Sequence, residues 1–121
     1  MLRGALDRVG LVVMCGGLGP TDDDLTRDAA AGLLGMRLVE DESVLDRVRQ
    51  RFASRGMRMP EVNRRQALVP VGAEVLPNPH GTAPGLWIER DGRILILLPG
   101  PPAELEPMFT RVAADRLAPR A

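Results

Sequence analysis

A layered α/β fold with at least one antiparallel hairpin is what this sequence predicts, on three observations. Short apolar runs at Val9–Cys15 and Arg93–Leu98 read as buried strands, each followed by a bend rich in glycine or proline and then a helical pattern. Asp91-Gly92 lies between two apolar segments, the strongest short-range hairpin signal. Apolar residues make up 45% of the 121 residues, enough for a core, and the only aromatics are Phe52, Trp87 and Phe109. That core is therefore built mostly of Leu, Val, Ile, Met and Ala.

Taken in order, residues 3–8 look like the end of a helix, and Val9–Cys15 forms the first strand. Gly16-Gly17-Leu18-Gly19-Pro20 makes a tight loop. A helix is expected from Thr21 to Leu34, with Thr21 as N-cap, the acids Asp22, Asp23 and Asp24 in its first turn and Gly35 as its stop. A second helix fits Asp41 to Arg55. Asp41 caps it, Val44, Leu45, Val48 and Phe52 share one face, and Gly56 ends it. Glu61–Ala67 makes a short helix after the break at 57–60. Residues 69–85 are rich in Pro and Gly, with 78–85 as a long ordered loop. Leu86–Arg90 and Arg93–Leu98 form the hairpin, 98–102 is another bend, and Ala103–Leu117 is the last helix, with Leu105, Met108, Phe109 and Val112 facing inward. One domain over 1–121 accommodates all of this. With about three strands visible, and the chain opening on a helix tail, an N-terminal piece of the natural domain is expected to be missing.

Composition excludes several functions. Sixteen Arg, no Lys and sixteen acids balance to zero net charge, which argues against nucleic acid or an acidic membrane as the main partner. No apolar run approaches the ~20 residues of a membrane-spanning helix, and the first residues lack the apolar stretch of a signal peptide. A single cysteine, Cys15, fits a reducing cytoplasm. Three aromatics are too few for a base-stacking surface.

Chemistry concentrates in three loops. In Gly16-Gly17-Leu18-Gly19-Pro20-Thr21 the glycines allow backbone N–H groups to approach a ligand, and the following helix start suits a phosphate. The spacing matches neither the dinucleotide fingerprint nor a Walker loop, and an ordinary capped turn accounts for it equally well. Asp22, Asp23 and Asp24 would repel a phosphate unless a divalent cation lies between. Like charges 4 Å apart cost roughly 4 kcal/mol at an effective dielectric near 20, so Mg²⁺ or a similar ion is expected if phosphate binds. Otherwise Asp24 closes a capping box and Asp22 and Asp23 are solvated. The second loop, Pro99-Gly100-Pro101-Pro102, also leads from a strand into a helix, and two such junctions in one sheet can share a crevice. The third, Asn78 to Gly85, is either a ligand loop or a surface connection; His80 within it is a candidate acid or base.

Charge is segregated. Residues 22–46 hold eight acids and two Arg, and residues 47–65 hold seven Arg and one Glu. Arg47, Arg51 and Arg55 share a helix face read as solvated and paired with the acidic segment. Arg64 and Arg65, between two breaks, are the expected ligand contacts.

These motifs resemble the N-terminal domain of the CinA (competence/damage-inducible) family, within the molybdopterin-binding MoaB/Mog-like group. The matching stretches are GGLGPTDDDLTRDA at 16–29, MPEVNRRQALVP at 59–70, AEVLPNPHGTAPG at 73–85 and ILLPGPPAELEPMF at 96–109. The resemblance implies a three-layer α/β/α sandwich, here incomplete at its N-terminus and without the separate amidase domain that often follows. It also implies metal-dependent hydrolysis of ADP-ribose at its pyrophosphate. Asp24 matches the group's functional aspartate and is the expected catalytic residue, with Asp22, Asp23 and Asp24 as metal ligands. Gly100 matches the glycine of the second ligand loop. The expected ligand-binding set is Gly16, Gly17, Gly19, Thr21, Asn63, Gly81, Thr82, Gly100 and Pro101. Cys15 stands where the family usually has a small hydroxyl residue. The expected partner is a small nucleotide, with homo-oligomerisation left open. A non-catalytic nucleotide or molybdopterin-binding module, molybdopterin adenylylation and an inactive fragment are the alternatives.

Overall fold

The computed structural model describes residues 10–20 and 25–120, the last of these by its backbone only. The four-stranded sheet is mixed, in the order β1-β6-β5-β4, from Leu11–Cys15 (β1), Glu74–Leu76 (β4), Gly85–Arg90 (β5) and Arg93–Leu98 (β6). β1 runs parallel to β6, with Cys15 opposite Leu98, and β5 is antiparallel to both β4 and β6. The hairpin turns at Asp91 and Gly92, both at positive φ (54° and 76°), the conformation a two-residue type I′ turn requires. Leu38–Glu40 (β2) and Leu68–Pro70 (β3) pair antiparallel in a separate ribbon. The helices are Thr26–Leu33 (α1), Glu42–Ala53 (α2) and Pro102–Val112 (α3), with a 3-10 segment over Glu61–Ala67.

Both faces of the sheet are apolar, which is why β6 reads as an unbroken hydrophobic run. Leu86, Ile88, Leu95 and Leu97 point to one side and join Ala30 of α1 and Val44, Leu45 and Val48 of α2. Trp87, Ile96 and Leu98 point to the other and join Met108 and Val112 of α3. Helices thus cover both sides, and the three-layer arrangement follows from strand alternation.

Several local expectations hold. Asp41 caps α2, its side chain accepting from the Val44 N–H at 3.0 Å. α1 closes at Gly35 with the six-to-one bond from Met36 N–H to the Ala31 oxygen (2.8 Å). Others need correction. The described helix begins at Thr26, with Leu25 as N-cap and no side-chain cap, while the expected start at Thr21 lies outside the described residues. The Gly17 carbonyl accepts from Thr26 N–H at 3.0 Å instead, a main-chain bond that no capping pattern reveals. The last helix keeps α geometry only to Val112 and then widens into a π turn over Ala113–Leu117. Phe109 is 41% exposed and not part of its inner face. β2, β3 and β4, each three residues long, were absent from the expected elements, because a strand that short shows too little alternation to read. Among the described residues, no helix is long and apolar enough to cross a membrane.

Candidate functional site

A cavity of about 500 Å³ lies where β1 and β6 end. Its first wall is the loop after β1. Leu18 is buried in the core (2% exposed) and pins the loop from below. The flanking glycines leave the main chain bare. Gly17 has φ +73°, and a Cβ there would stand 1.9 Å from Thr26 Oγ1 and 2.7 Å from Thr26 Cβ, so no side chain fits. The loop after β6 meets this wall directly. Gly16 N–H donates to the Leu98 oxygen at 2.8 Å, and a Cβ on Gly100 would stand 3.3 Å from Gly16 Cα. The two glycine bends converge, as parallel neighbours with adjacent carboxyl ends must.

Beneath the first loop lies Arg27, 1% exposed, donating to the Leu18 oxygen at 3.1 Å with its other terminal nitrogen 3.5 Å from the Gly19 oxygen. It turns these carbonyls inward, and nothing in the sequence marked it for that role.

The opposite wall, residues 78–83, is held by side chains. Asn78 Nδ2 donates to the Ala83 oxygen and to Glu104 Oε1, both at 2.8 Å, while Asn78 Oδ1 accepts from His80 N–H at 3.1 Å. Gln66 Nε2 donates to Thr82 Oγ1 at 2.8 Å, and Gln66 Oε1 accepts from Asn63 Nδ2 at 2.9 Å. Arg51 donates to the Pro79 oxygen at 2.7 Å.

Of the expected ligand residues, Gly16, Gly17, Gly19, Gly81, Thr82, Gly100 and Pro101 line this one cavity, together with His80. Asn63 does not. It is buried behind Gln66 and positions that side chain, so its place is one layer out. Thr21, Asp22, Asp23 and Asp24 lie outside the described residues.

The arginine expectation is reversed. Arg64 forms a two-pronged pair with Glu40 (2.8 and 3.1 Å), and Arg65 pairs with Asp28 at 3.1 Å; neither lines the cavity. The Arg64 guanidinium holds the Glu40 carboxyl below its ordinary value. Arg51 and Arg55 line the cavity instead, with Gln66 and Glu104. Helical spacing places Arg51 and Arg55 on one face, but α2 ends at Ala53, and it is the turn after it that brings Arg55 to the same cavity as Arg51.

The cavity's described charges are two arginines against one glutamate, an environment that suits an anion. It does not supply a metal site by itself. A hard divalent cation takes six or more oxygen ligands, whereas Glu104 is the cavity's one described carboxylate and already accepts from Asn78. Among the described residues, no group of three or more His, Cys, Asp or Glu could hold an ion.

Comparison with known proteins agrees with this architecture. Residues 1–119 match the family described as Probable molybdopterin binding domain. A protein named competence-damage inducible, from Symbiobacterium thermophilum, is 55% identical over 121 residues, covering 99% of this chain and 28% of its own length. A CinA-like protein from Solibacter usitatus is 50% identical over 117 residues, covering 97% of this chain and 28% of its own. The crystal structure of CinA from Thermoplasma acidophilum, a protein described as of unknown function, superposes with a TM-score of 0.85 at 35% identity, over 94% of this chain and 66% of that one. The chain thus spans less than a third of the length of these curated relatives. By fold, by motif and by similarity over nearly its whole length, the chain belongs to the molybdopterin-binding (MoaB/Mog-like) domain family, as a CinA-like member.

Proposed function

We propose that the cavity binds the diphosphate of a small nucleotide and that the domain belongs to an enzyme cleaving ADP-ribose at its pyrophosphate. What carries this reading is the meeting of Gly16 and Gly100 over a cavity flanked by Arg51 and Arg55. Two glycine bends bring main-chain donors close to a ligand, and arginine matches phosphate oxygens in a planar fork. The site's own residues can bind and orient such a diphosphate. His80, at the cavity, is a candidate to hold or deliver a proton at the leaving oxygen. The resemblance assigns a divalent ion to Asp22, Asp23 and Asp24. An ion of this kind would supply neutralisation of phosphate charge and an activated water. Asp24 is then the residue on which turnover depends most.

The test is AMP release from ADP-ribose, with Mg²⁺ and with EDTA. Release that EDTA stops and that Asp24→Ala loses by about 10³-fold is the expected result, the size typical of removing a key charge-stabilising group. Absence of AMP release would reject hydrolysis. The family match favours a second reading, a binding module for molybdopterin or a nucleotide without turnover. It predicts saturable binding that survives Asp24→Ala.

A further inference from the structure

Arg27 is the one ionic side chain among the described residues that the fold hides, 1% exposed beneath the loop after β1. A guanidinium is almost never buried unless its donors are met, because desolvating a charge is costly. Ligand contact does not account for it, since Arg27 does not line the cavity. What it touches is the main chain of the loop. Arg27 donates to the Leu18 oxygen at 3.1 Å and lies 3.5 Å from the Gly19 oxygen.

The effect of those contacts follows from the peptide group. In a planar trans peptide the C=O and the N–H point in opposite directions. The Gly17 oxygen accepts from the Thr26 N–H at 3.0 Å, and the Leu18 oxygen accepts from Arg27. Two successive peptide units therefore send their carbonyls toward the start of α1. Their N–H groups, on Leu18 and Gly19, point the other way. Thr26 and Arg27 stand outside the cavity, whereas Gly17, Leu18 and Gly19 line it. Neither N–H has an acceptor among the described residues, although Leu18 is only 2% exposed. A buried main-chain donor needs a partner, and successive N–H groups turned to one side form a concavity that takes an anion. Pro20 has no N–H, so the peptide after Gly19 offers only its carbonyl. The second Arg27 nitrogen lies beside that oxygen and keeps it on the far side from an anion.

We infer that Arg27 is a positioning residue of the site: its buried guanidinium holds the Leu18 and Gly19 carbonyls down, so that the Gly19 N–H stands beside the Leu18 N–H toward a phosphate oxygen. Arg27 itself touches no ligand. This rests on the diphosphate reading above but does not require hydrolysis.

Inorganic pyrophosphate is the probe, followed by calorimetry and by the backbone amide spectrum of the isotope-labelled chain. In the wild type, the Leu18 and Gly19 amide protons move downfield on binding, and Gly100 on the other bend reports occupancy. Arg27→Met fills similar space without the clamp. It weakens pyrophosphate about tenfold, the loss of one charge-assisted main-chain contact, and at saturation Gly100 still responds while Gly19 does not. Arg27→Lys, whose ammonium can still reach one carbonyl, recovers most of the affinity and the Gly19 response. A purely structural Arg27 would lower the unfolding midpoint and leave pyrophosphate affinity unaltered, and that result overturns the inference. So does a Gly19 amide that stays still as pyrophosphate saturates the wild type, a measurement that needs no variant to fold. Binding that follows Arg27 without AMP release keeps the inference and rejects hydrolysis. Binding indifferent to Arg27 keeps the diphosphate reading and rejects the inference alone. A wild-type chain that does not bind pyrophosphate rejects both.

Discussion

The wall formed by residues 16–19 is held by main-chain bonds, a buried leucine and the Arg27 guanidinium beneath it, whereas the wall formed by residues 78–83 is held mainly by side-chain amides. Gly17 accepts from Thr26, and Gly16 donates to Leu98, with no polar side chain of the loop involved. Across the cavity, Asn78 alone makes three bonds, and Gln66 ties Thr82 to Asn63. The first design leaves backbone bare and permits almost no substitution. The second presents side chains and can be altered in steps.

The largest expected effect comes from breaking the rigid wall. Gly17→Ala places a methyl group against Thr26 at a backbone angle that only glycine adopts readily, and should destabilise the chain by about 2–4 kcal/mol. Urea unfolding measures it; a loss below about 0.5 kcal/mol would mean the loop is free to move aside. On the other wall, Asn78→Ala leaves the Ala83 carbonyl and Glu104 without their donor and should cost about 1–3 kcal/mol. Limited proteolysis should then cut within 78–83 and spare 16–19. Equal cutting in both loops would show that the walls depend on each other.

The smallest effect lies outside both walls. Glu40 has its carboxyl lowered from 4.5 by Arg64, so the folded state binds its proton less readily than the unfolded chain does. The pair therefore supports the fold fully above the ordinary carboxylate range, and its support fades as pH falls through the lowered folded value. Arg64→Ala should remove a small increment that is present at neutral pH and fades in acid, seen as unfolding curves of variant and wild type that converge as pH falls. It should leave pyrophosphate binding unchanged, since Arg64 does not line the cavity. Weakened binding would restore Arg64 as a ligand contact.

Much of the site was legible before any coordinates. Gly16, Gly17, Gly19 and Gly100 stood out because glycine between a strand and a helix lets the main chain approach a ligand, although an ordinary capped turn reads the same, and it is the parallel pairing of β1 with β6 that makes the two bends converge. Gly81 and Thr82 were reached through a motif rather than through physics. Asn63 lies one layer behind the cavity, its amide spent on Gln66, a placement set by packing and not by local sequence. Arg51, Gln66 and Glu104 left no local signal beyond their polarity.

The linear order of residues determined what neighbours along the chain decide: the Asp91-Gly92 turn, the Asp41 cap, the Gly35 stop and a β6 apolar on both faces. These depend on backbone sterics and hydrogen bonds a few residues long. Which arginines face the cavity was decided only in three dimensions. Arg64 meets a glutamate 24 positions away and Arg51 a carbonyl 28 positions away. Charge attracts at any separation in sequence, so the pairing waits until the sheet has fixed where each helix face points.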